Sequence, residues 1–479
     1  MSKEAIKGLK PEGLWQRFYE ISQVPRPSKK EGKILEHLRN LFKDLKLSYK
    51  EDKTGNILVS VPASKGYENA PTVVLQGHVD MVCEKNRGTE HDFDNDPIKL
   101  KRVDGWIAAE GTTLGSDNGI GVAAAIAVAT DPNAKHGPLE ILLTVDEETG
   151  LTGANNLEPG FVKGKILLNL DSEEDGAFYV GCSGGIDTMG TFKSETESAA
   201  NDFVPHEIMV TGLKGGHSGL DITTGRGNGI KILARALKSL EKLNYFLTKI
   251  DGGSKRNAIP REAEAIVLIK SSDWKQALDV LNEFQEKVQN EFKTSDSGLK
   301  IEFKKADKTP SKVFTKSFTT RIINTLLALP HGVISMSQDI PGLVETSTNV
   351  ATINTGDDAV IIGTSQRSSI DSAKRYIAQS VEATFKLADA EVKTGDGYPG
   401  WKPDMDSNIL KTSKKAFKNL FNKEPEIKAI HAGLECGILG DKNPGIDMIS
   451  FGPTITGAHS PDERVNIETV EKFYNLLKA

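Results

Sequence analysis

Histidine and acidic residues stand just beyond four short apolar runs that are typical of β-strands. They are His78 and Asp80 after TVVLQ, Asp146–Glu148 after LEILLTV, Asp171 after KILLNL, and His459 beyond DMISFG. In an open α/β sheet, ligands bind at the rim where the carboxyl ends of the strands meet. The pattern therefore predicts that four strands deliver imidazole and carboxylate groups to one place, and such groups can hold metal ions.

The acidic residues of this set need a counter-charge. Taken singly, an HxD triplet or an acidic pair before Thr-Gly is usually a solvated surface turn. Carboxylates gathered at one rim, however, repel one another unless cations neutralise them. The combination therefore favours a metal site over four unrelated turns.

Asp117 lies in the glycine-rich stretch LGSDNGIG, immediately before a predicted helix that starts near Asn118. A carboxylate at such a position commonly caps the helix N-terminus. Held rigidly there, the same group can instead bridge two metal ions. Oxygen and imidazole ligands without thiolate suit zinc, cobalt or manganese in an open catalytic site rather than a closed structural one.

The three cysteines, Cys83, Cys182 and Cys436, are far apart and form no CxxC pair. This spacing supports neither a disulfide framework nor a structural zinc site. A free cysteine usually packs as a small hydrophobic residue. We therefore expect reduced thiols and do not favour a cysteine nucleophile.

Length and charge indicate an ordinary globular protein of more than one domain. The 479 residues exceed the size at which one hydrophobic core keeps growing. The formal charge of −6 does not indicate a protein that binds nucleic acid or an anionic membrane. The first residues lack the apolar run of a signal peptide, and no stretch approaches the length of a membrane span. We therefore expect a cytoplasmic protein that binds neither nucleic acid nor membrane.

Two stretches of the chain have the pattern of an α/β layer. Residues 1–186 alternate amphipathic helices with short strands, several of them too apolar to face water. Residues 397–479 return to this pattern after the turn-rich segment GDGYPGWKPD. The predicted helices are Pro11–Ile21, Glu31–Leu45, Asn118–Thr130 and Asn408–Phe421, and the predicted strands are Asn56–Val61, Thr72–Gln76, Leu139–Thr144, Ile166–Leu170, Glu426–Ala429 and Asp447–Phe451.

Residues 187–396 are predicted to form a separate α+β domain, in which strands alternate with longer amphipathic helices. These helices are Gly229–Leu243, Trp274–Phe292, Lys316–Leu329 and Ser369–Leu387. Each half of the segment offers strands and a pair of helices. The pattern is therefore consistent with a doubled two-layer unit.

The motifs, in their order along the chain, resemble the zinc peptidase family of aminoacylase, glutamate carboxypeptidase and the carnosine dipeptidases, and above all its bacterial aminoacyl-histidine dipeptidase branch. The likeness covers almost the whole chain, through VPRPSKKEGKI, QGHVDMVCEKN, EGTTLGSDNGIG, TVDEETGLTGA, NLDSEEDG, GGHSGLDI, KRNAIPREA, HAGLECGIL and GAHSPDERV. It implies an α/β catalytic domain with a mixed, mostly parallel sheet between helices, and an inserted α+β lid domain.

The resemblance also implies a metal centre with two zinc ions per chain, which cobalt or manganese could replace. His78 and Asp171 would hold one ion. Glu148 and His459 would hold the other, and Asp117 would bridge both.

Two further acidic residues of these motifs gain roles from the resemblance. Asp80 would accept a hydrogen bond from the other ring nitrogen of His78 and fix its tautomer. Glu147 would be the general base that takes a proton from a water between the metals and passes it to the leaving amine. The peptide bond after the bridging aspartate is cis in this family, which predicts a cis bond at Asp117–Asn118.

The inserted domain would act as a lid that contacts the substrate. His217 in GGHSG matches a histidine that stabilises the oxyanion, while Arg367 in SQRSS and Asn257 in RNAIP match residues that hold the substrate carboxylate and backbone. A glycine-flanked turn and a solvated charge remain the ordinary alternatives. Because GGHSG lies in the first half of the lid, we expect a homodimer through the lid in which His217 serves the neighbouring subunit. A doubled lid could instead supply it within one chain.

HAGLECG differs from the GGT-type loop that is common elsewhere in the family. Glu435 could bind the free α-amine of the substrate, or it could be a glutamate in a polar turn.

The preferred function is hydrolysis of unblocked dipeptides, including Xaa-His and carnosine-like ones. An N-acyl amino acid deacylase or a carboxypeptidase is the first alternative. A non-enzymatic metal-binding or assembly protein is the second, and the intact Glu147 disfavours it.

Overall fold

A computed structural model of the protein describes residues 2–199, 202–306 and 310–479. The helices are α1 (Ser2–Ala5), α2 (Glu12–Ser22), α3 (Gly32–Asp44), α4 (Ser116–Thr130), α5 (Glu147–Gly150), α6 (Thr152–Asn156), α7 (Gly229–Ser239), α8 (Trp274–Glu291), α9 (Lys316–Ala328), α10 (Asp371–Leu387), α11 (Asn408–Phe421), α12 (Glu435–Lys442) and α13 (Ile467–Lys478). The strands are β1 (Ser48–Glu51), β2 (Ile57–Val61), β3 (Val73–His78), β4 (Leu100–Val103), β5 (Trp106–Ala109), β6 (Leu139–Thr144), β7 (Ile166–Asn169), β8 (Ala177–Cys182), β9 (Gly184–Lys193), β10 (Thr196–Ser198), β11 (Phe203–Thr211), β12 (Gly216–His217), β13 (Tyr245–Gly252), β14 (Ala258–Ile259), β15 (Ala263–Lys270), β16 (Lys300–Lys305), β17 (Lys312–Phe314), β18 (Gly332–Met336), β19 (Val344–Thr355), β20 (Ala359–Ser368), β21 (Glu391–Thr394), β22 (Glu426–Ile430), β23 (Asp447–Ser450), β24 (Ile455–Thr456) and β25 (Arg464–Asn466).

The chain divides into two compact units. Unit 1 holds the residues up to Cys182 together with Trp401–Ala429 and Leu434–Ala479. Unit 2 holds Ser183–Gly400 and the short segment Ile430–Gly433.

The sequence-based boundaries at 186/187 and 396/397 both fall inside unit 2. Strand β9 is continuous from Gly184, and the N–H of Gly185 donates to the carbonyl oxygen of Tyr398 at 3.1 Å. The N–H of Ser183 likewise donates to Ile430 O at 3.1 Å. These backbone contacts place residues 183–186, 397–400 and 430–433 with unit 2 rather than with the catalytic segments.

Unit 1 is built on an eight-stranded sheet in the order β1-β2-β6-β3-β7-β23-β8-β22. The central strands β6, β3, β7 and β23 are parallel, whereas the pairs β1–β2, β2–β6 and β23–β8 are antiparallel. All six side chains of β6 are buried, as expected for a strand covered on both faces. The predicted mixed α/β sheet is confirmed, and the parallel strands bring their carboxyl ends to one edge.

Helix α4 lies against this sheet so closely that it has little room for large side chains. A Cβ atom on Gly121 would lie 2.4 Å from the carbonyl oxygen of Leu170, so glycine permits the close approach. Helix α2 packs beside α4, with Leu14, Trp15 and Phe18 buried. This packing fixes the N-terminal end of α4, which carries Asp117.

A four-stranded sheet in unit 1, ordered β24-β25-β5-β4, is absent from the sequence-based prediction. Its hairpin β4–β5 turns at Asp104 and Gly105, whose φ angles are 45° and 82°. This dipeptide and these angles are typical of a tight hairpin turn. Strand β25 begins directly after Glu463 and pairs with both β24 and β5, so the sheet anchors the segment that follows His459.

Unit 2 contains a nine-stranded sheet in the order β16-β11-β15-β13-β19-β20-β9-β21, with β18 paired to β19. Strands β13 and β19 meet through one residue pair, Gly252 and Ile353. The halves on either side of this junction share one hydrophobic core, to which helices α7 and α9 contribute Leu233, Leu237 and Ile322. One continuous sheet therefore joins both sides of the junction, and β9, from the start of the segment, lies with β19 and β20.

The predicted helices end close to the observed residues, with two differences, whereas α13 was not predicted. Helix α7 stops at Ser239 instead of Leu243, because the N–H of Leu243 bonds to Leu240 O at 2.8 Å in a tighter turn. Glu435, for which a polar turn was one of two expectations, begins helix α12.

Across the described ranges, no helix combines the length and the apolar character that crossing a membrane requires.

Candidate metal centre

His78 ends strand β3 and is almost fully buried, with 1% of its surface exposed. Its Nε2 lies 3.1 Å from Asp117 Oδ1 and 3.3 Å from Asp171 Oδ1. Its Nδ1 faces Asp80 Oδ1 at 3.3 Å. With the ring proton on Nδ1, toward Asp80, the lone pair of Nε2 points between the other two carboxylates, as in a metal-ligating histidine.

Asp117 lies between two histidines. Its Oδ1 approaches His78, and its Oδ2 lies 3.1 Å from His459 Nε2. Glu148 Oε2 lies 3.0 Å from the same nitrogen of His459. Ligand atoms of His78, Asp117 and Asp171 lie within 4.8 Å of one another, and those of Asp117, Glu148 and His459 do the same. The five residues that the sequence singles out as ligands therefore form two triads that share Asp117.

The electrostatics of these triads require a positive charge. Burial alone would lower the pKa of His78, but Asp171 and Asp117 raise it well above its usual range. Hydrogen bonds to Asp117 and Glu148 raise the pKa of His459 to about 11. Within the described part of the chain, Glu148 Oε1 and Asp171 Oδ1 are buried without a hydrogen-bond partner. Divalent cations would replace the histidine protons and engage these oxygens, so the donor set fits two metal ions.

Asp80 is fully buried and holds the turn that carries the adjacent acidic pair. Its Oδ1 accepts the backbone N–H of Glu147 at 3.0 Å, and its Oδ2 accepts that of Glu148 at 3.2 Å. The hydroxyl of Ser28 donates to Oδ2 at 2.8 Å. Burial opposes ionisation, but hydrogen bonding and the charge of His78 lower the pKa of Asp80 to about 2. Asp80 is therefore an anion that orients His78 and the backbone of the acidic pair together.

Glu147 begins the short helix α5, and its carboxylate groups with His78 and Glu148 within the same 4.8 Å limit. Burial raises its pKa well above the usual range, and the neighbouring carboxylates of Asp171 and Glu435 act in the same direction. A carboxylate beside the ligands with a raised pKa is suited to accept and return a proton.

A buried glutamate holds the loop that carries Asp117. Glu463 is 2% exposed. Its carboxylate accepts the backbone N–H groups of Leu114 at 2.7 Å, Gly115 at 2.9 Å, Ser116 at 2.7 Å and Asp117 at 3.3 Å. It also accepts the hydroxyl of Ser116 at 2.6 Å. The sequence pattern did not reveal a role for Glu463, although this residue lies in GAHSPDERV, one of the motifs that resemble the family.

Arg26 holds the same loop from its carbonyl side. Its guanidinium donates to Val79 O at 3.0 Å, to Asp80 O at 2.8 Å and to Gly115 O. Arg26 is buried, at 2% exposure, and the sequence pattern did not reveal its role, although it lies in the motif VPRPS.

The peptide bond between Asp117 and Asn118 is cis, which confirms the prediction.

The expectation that Glu435 could lie in a polar turn is wrong. The residue is 1% exposed, and its Oε2 accepts hydrogen bonds from Gln76 Nε2 at 2.6 Å and Thr144 Oγ1 at 2.8 Å. Burial raises the pKa of Glu435 to about 7. Gln76 belongs to β3 and Thr144 to β6, so two strands of the sheet hold the carboxylate, which itself lies at the start of helix α12. Its other oxygen, Oε1, is buried without a hydrogen-bond partner among the described residues, and a contact between Glu435 and the substrate amine stays a prediction.

His217 lies in unit 2, where its ring has a defined tautomer. Nδ1 accepts the backbone N–H groups of Gly219 at 3.2 Å and Leu220 at 3.1 Å. The ring proton therefore resides on Nε2, which is left as a hydrogen-bond donor. Burial, and then the charge of Arg367, lower the pKa of His217 and keep the ring neutral.

Arg367 and Asn257 also belong to unit 2. Arg367 is 6% exposed and donates through Nη1 to the hydroxyl of Tyr398 at 2.9 Å. Asn257 is exposed, and its carbonyl oxygen accepts the N–H of Ser218 at 2.8 Å. Ser218 adjoins His217, so the backbone links Asn257 to the histidine loop.

Known proteins resemble this chain to different extents. Residues 74–479 match Peptidase family M20/M25/M40. The chain is 42% identical over 474 residues to the cytosol non-specific dipeptidase of Escherichia coli (strain K12), covering 98% of this chain and 97% of that protein. Against the crystal structure of aminoacylhistidine dipeptidase from Vibrio alginolyticus, the TM-score is 0.91 at 41% identity, covering 100% and 98% of the two chains. Aminopeptidase PepT from Bacillus cereus shares the fold at a TM-score of 0.57 and 18% identity, covering 98% and 97%.

Proposed function

The chain belongs to peptidase family M20/M25/M40, and we propose that it cleaves unblocked dipeptides at a centre of two zinc ions. As a member of this family with dipeptidases among its relatives, it is a metal-dependent dipeptidase and a hydrolase. The observation that carries the proposed mechanism is the pair of ligand triads that share Asp117, with Glu147 beside them.

Zinc is the proposed metal, and cobalt or manganese could replace it. His78 and Asp171 would hold one ion, Glu148 and His459 would hold the other, and Asp117 is shared by both groups of residues. Imidazole and carboxylate ligands without thiolate support this choice. When bound, the two ions supply the Lewis acidity that polarises the scissile carbonyl and acidifies the attacking water.

Glu147 is the proposed general base. Its carboxylate takes the proton of the attacking water and later gives it to the departing amine, so the carboxylate is regenerated in each cycle. The raised pKa supports this role, because a less acidic carboxyl group accepts a proton from water more readily. Asp80 is proposed to position these groups, since its carboxylate accepts the backbone N–H of Glu147 and faces the ring of His78.

The unit 2 residues are proposed to contact the substrate. His217 offers a neutral Nε2–H group to the oxyanion that forms at the scissile carbonyl. Arg367 and Asn257 hold the substrate carboxylate and backbone.

We further propose a homodimer through unit 2, in which His217 completes the site of the neighbouring subunit. The position of GGHSG in the first half of the domain supports the dimeric form.

Xaa-His dipeptides, including carnosine-like ones, are the proposed preferred substrates, with other unblocked dipeptides also cleaved. The names of two similar proteins, a cytosol non-specific dipeptidase and an aminoacylhistidine dipeptidase, support this range. The first of these names also supports a cytoplasmic location.

A dipeptide panel tests the function. The purified protein is freed of metal with a chelator and reloaded with zinc, cobalt or manganese. It is then assayed on Gly-His, β-Ala-His and Gly-Leu, and on the N-acetylated form of each. We expect metal-dependent cleavage of the unblocked peptides only. Equal cleavage of the acetylated forms would indicate a deacylase or carboxypeptidase, and metal loading without any turnover would indicate a binding protein.

A further inference from the structure

We infer that Glu463 is a positioning residue that presets Asp117 for both metal ions. The inference rests on the proposed two-metal site and adds a residue outside the ligand set. Its basis is the loop Leu114–Asp117, which turns its backbone N–H groups toward one buried carboxylate.

The contacts of Glu463 use both carboxylate oxygens. Oε2 accepts the N–H groups of Leu114 and Gly115, and Oε1 accepts those of Ser116 and Asp117 together with the Ser116 hydroxyl. An ionised carboxylate has about four lone-pair sites, so these donors saturate it. Because four successive peptide groups point at one anion, their orientations are fixed, and that of Asp117 is among them.

A neutral side chain could not satisfy this loop. An amide in place of the carboxylate would put an NH₂ group against two backbone N–H donors, and those donors would be left buried without an acceptor. The charge of Arg26, which binds the opposite side of the loop through Gly115 O, offsets the buried anion. The loop is therefore held between a cation on its carbonyl side and an anion on its N–H side.

Glu463 also connects the two triads through its own segment. It follows the ligand His459 in a compact turn, in which the N–H of Glu463 donates to Ser460 O at 3.0 Å and that of Ser460 to Gly457 O at 3.2 Å. One turn thus supplies a ligand of the second triad and the acceptor that orients the shared ligand. Loss of the Glu463 contacts should weaken both metal ions, because Asp117 belongs to both triads.

The substitution Glu463→Gln tests this inference. Zinc is titrated into the metal-free full chain in competition with a chelating indicator, and thermal unfolding of the metal-free protein is followed separately. We expect both dissociation constants for zinc to rise by about 10–100-fold, as is usual when a residue that orients a ligand is lost. Excess zinc should restore most of the dipeptidase activity. A role confined to capping helix α4 would lower the unfolding temperature and leave both constants unchanged.

The controls keep each outcome informative. Glu468→Gln, an exposed glutamate of helix α13 with 77% side-chain exposure, should leave both constants unchanged. If Glu463→Gln does not fold, Ser116→Ala decides instead, because it removes one of the five contacts, and it should raise both constants by about 3–10-fold. Unchanged constants in the deciding variant, or a rise for one ion only, would overturn the inference. Failure of the wild-type protein to bind two ions would instead overturn the proposed function.

Discussion

The backbone N–H of Glu147 donates to Asp80 Oδ1 at 3.0 Å, and the same oxygen faces His78 Nδ1 at 3.3 Å. One buried carboxylate oxygen therefore orients both the proposed base and a proposed ligand. An amide at this position can present only one oxygen, so its NH₂ group would oppose either the N–H of Glu148 or both the N–H of Glu147 and the imidazole N–H of His78.

Asp80→Asn should lower kcat/KM by about 10–100-fold, because the orientation of both partners is disturbed. The zinc content of the variant should fall only in part, since every proposed ligand is retained. Elemental analysis together with steady-state kinetics on Gly-His measures both effects. A variant with wild-type kcat/KM would show that Asp80 is dispensable for positioning.

Glu147→Gln should keep both metal ions and the fold but lose most of its turnover. The amide retains the shape of the side chain and lacks its basicity, and loss of a positioned general base typically costs about 10²–10⁴-fold in rate. The matched control is Glu158→Gln on the surface of unit 1, which should retain wild-type kcat. Near wild-type kcat at full metal occupancy in Glu147→Gln would refute the assignment.

His459→Ala should bind one zinc ion less per chain, because it removes a ligand from only one of the two triads. Asp117→Ala should lose both ions, since both triads contain Asp117. Metal content is measured after gel filtration, with His136→Ala, a histidine outside the triads, as the control. Equal metal loss in His459→Ala and Asp117→Ala would contradict the two-triad arrangement.

The proposed dimer predicts complementation between two inactive variants. Glu147→Gln and His217→Ala subunits, mixed under conditions of subunit exchange, should form heterodimers with one intact composite site. Loss of a preorganised donor such as the His217 Nε2–H typically costs about 10²–10³-fold in kcat, so recovered activity should be easy to detect. Exchange demonstrated by mass spectrometry without recovery would mean that His217 serves its own chain or has no catalytic part.

His431 should make unit 2 less stable in acid. Burial, and then the charge of Arg367, lower its pKa to about 3, whereas an unfolded histidine titrates near about 6.5. The unfolded chain therefore binds more protons between these values, and the free energy of unfolding falls as the pH falls through this window. The loss amounts to about 2 kcal/mol at pH 5.

Thermal unfolding at pH 7.5 and pH 5 measures this effect. His431→Asn keeps a polar group near Ser347, whose hydroxyl lies 2.7 Å from His431 Nε2, and it removes the titration. We expect its unfolding temperature to drop less between the two pH values than that of the wild type, by about 4–8 °C. The same drop in both proteins would exclude His431 as a source of acid sensitivity.

The sequence predicted most of the fold because its signals were local. The alternation of apolar residues and the glycines around Asp117 placed the main strands and α4 to within a few residues. The proposed ligands could be singled out because His78 ends one buried strand and Asp171 lies just beyond another. The hairpin at Asp104–Gly105 also had a local signal, the Asp-Gly dipeptide, which the prediction did not use.

The roles of Glu463, Arg26 and Glu435 could not be predicted in the same way. Each is defined by partners that are distant in sequence: Glu463 binds the Asp117 loop, and Glu435 binds side chains of two separate strands. A buried carboxylate and a surface carboxylate look alike in a sequence pattern, because the pattern does not show what folds over the residue. This is why the sequence left a polar turn open for Glu435 beside a contact with the substrate amine.

The order of the ligands along the chain has a consequence for biosynthesis. His78, Asp117, Glu148 and Asp171 precede Ser183–Gly400, whereas His459 follows it. At a synthesis rate of about 5–20 residues per second, the interval between Asp171 and His459 lasts on the order of 15–60 s. During this time the first triad already has all its residues, and the second lacks its histidine. Stable loading of the two proposed ions would therefore have to wait until the ribosome has passed His459, and an interrupted chain would carry an incomplete centre.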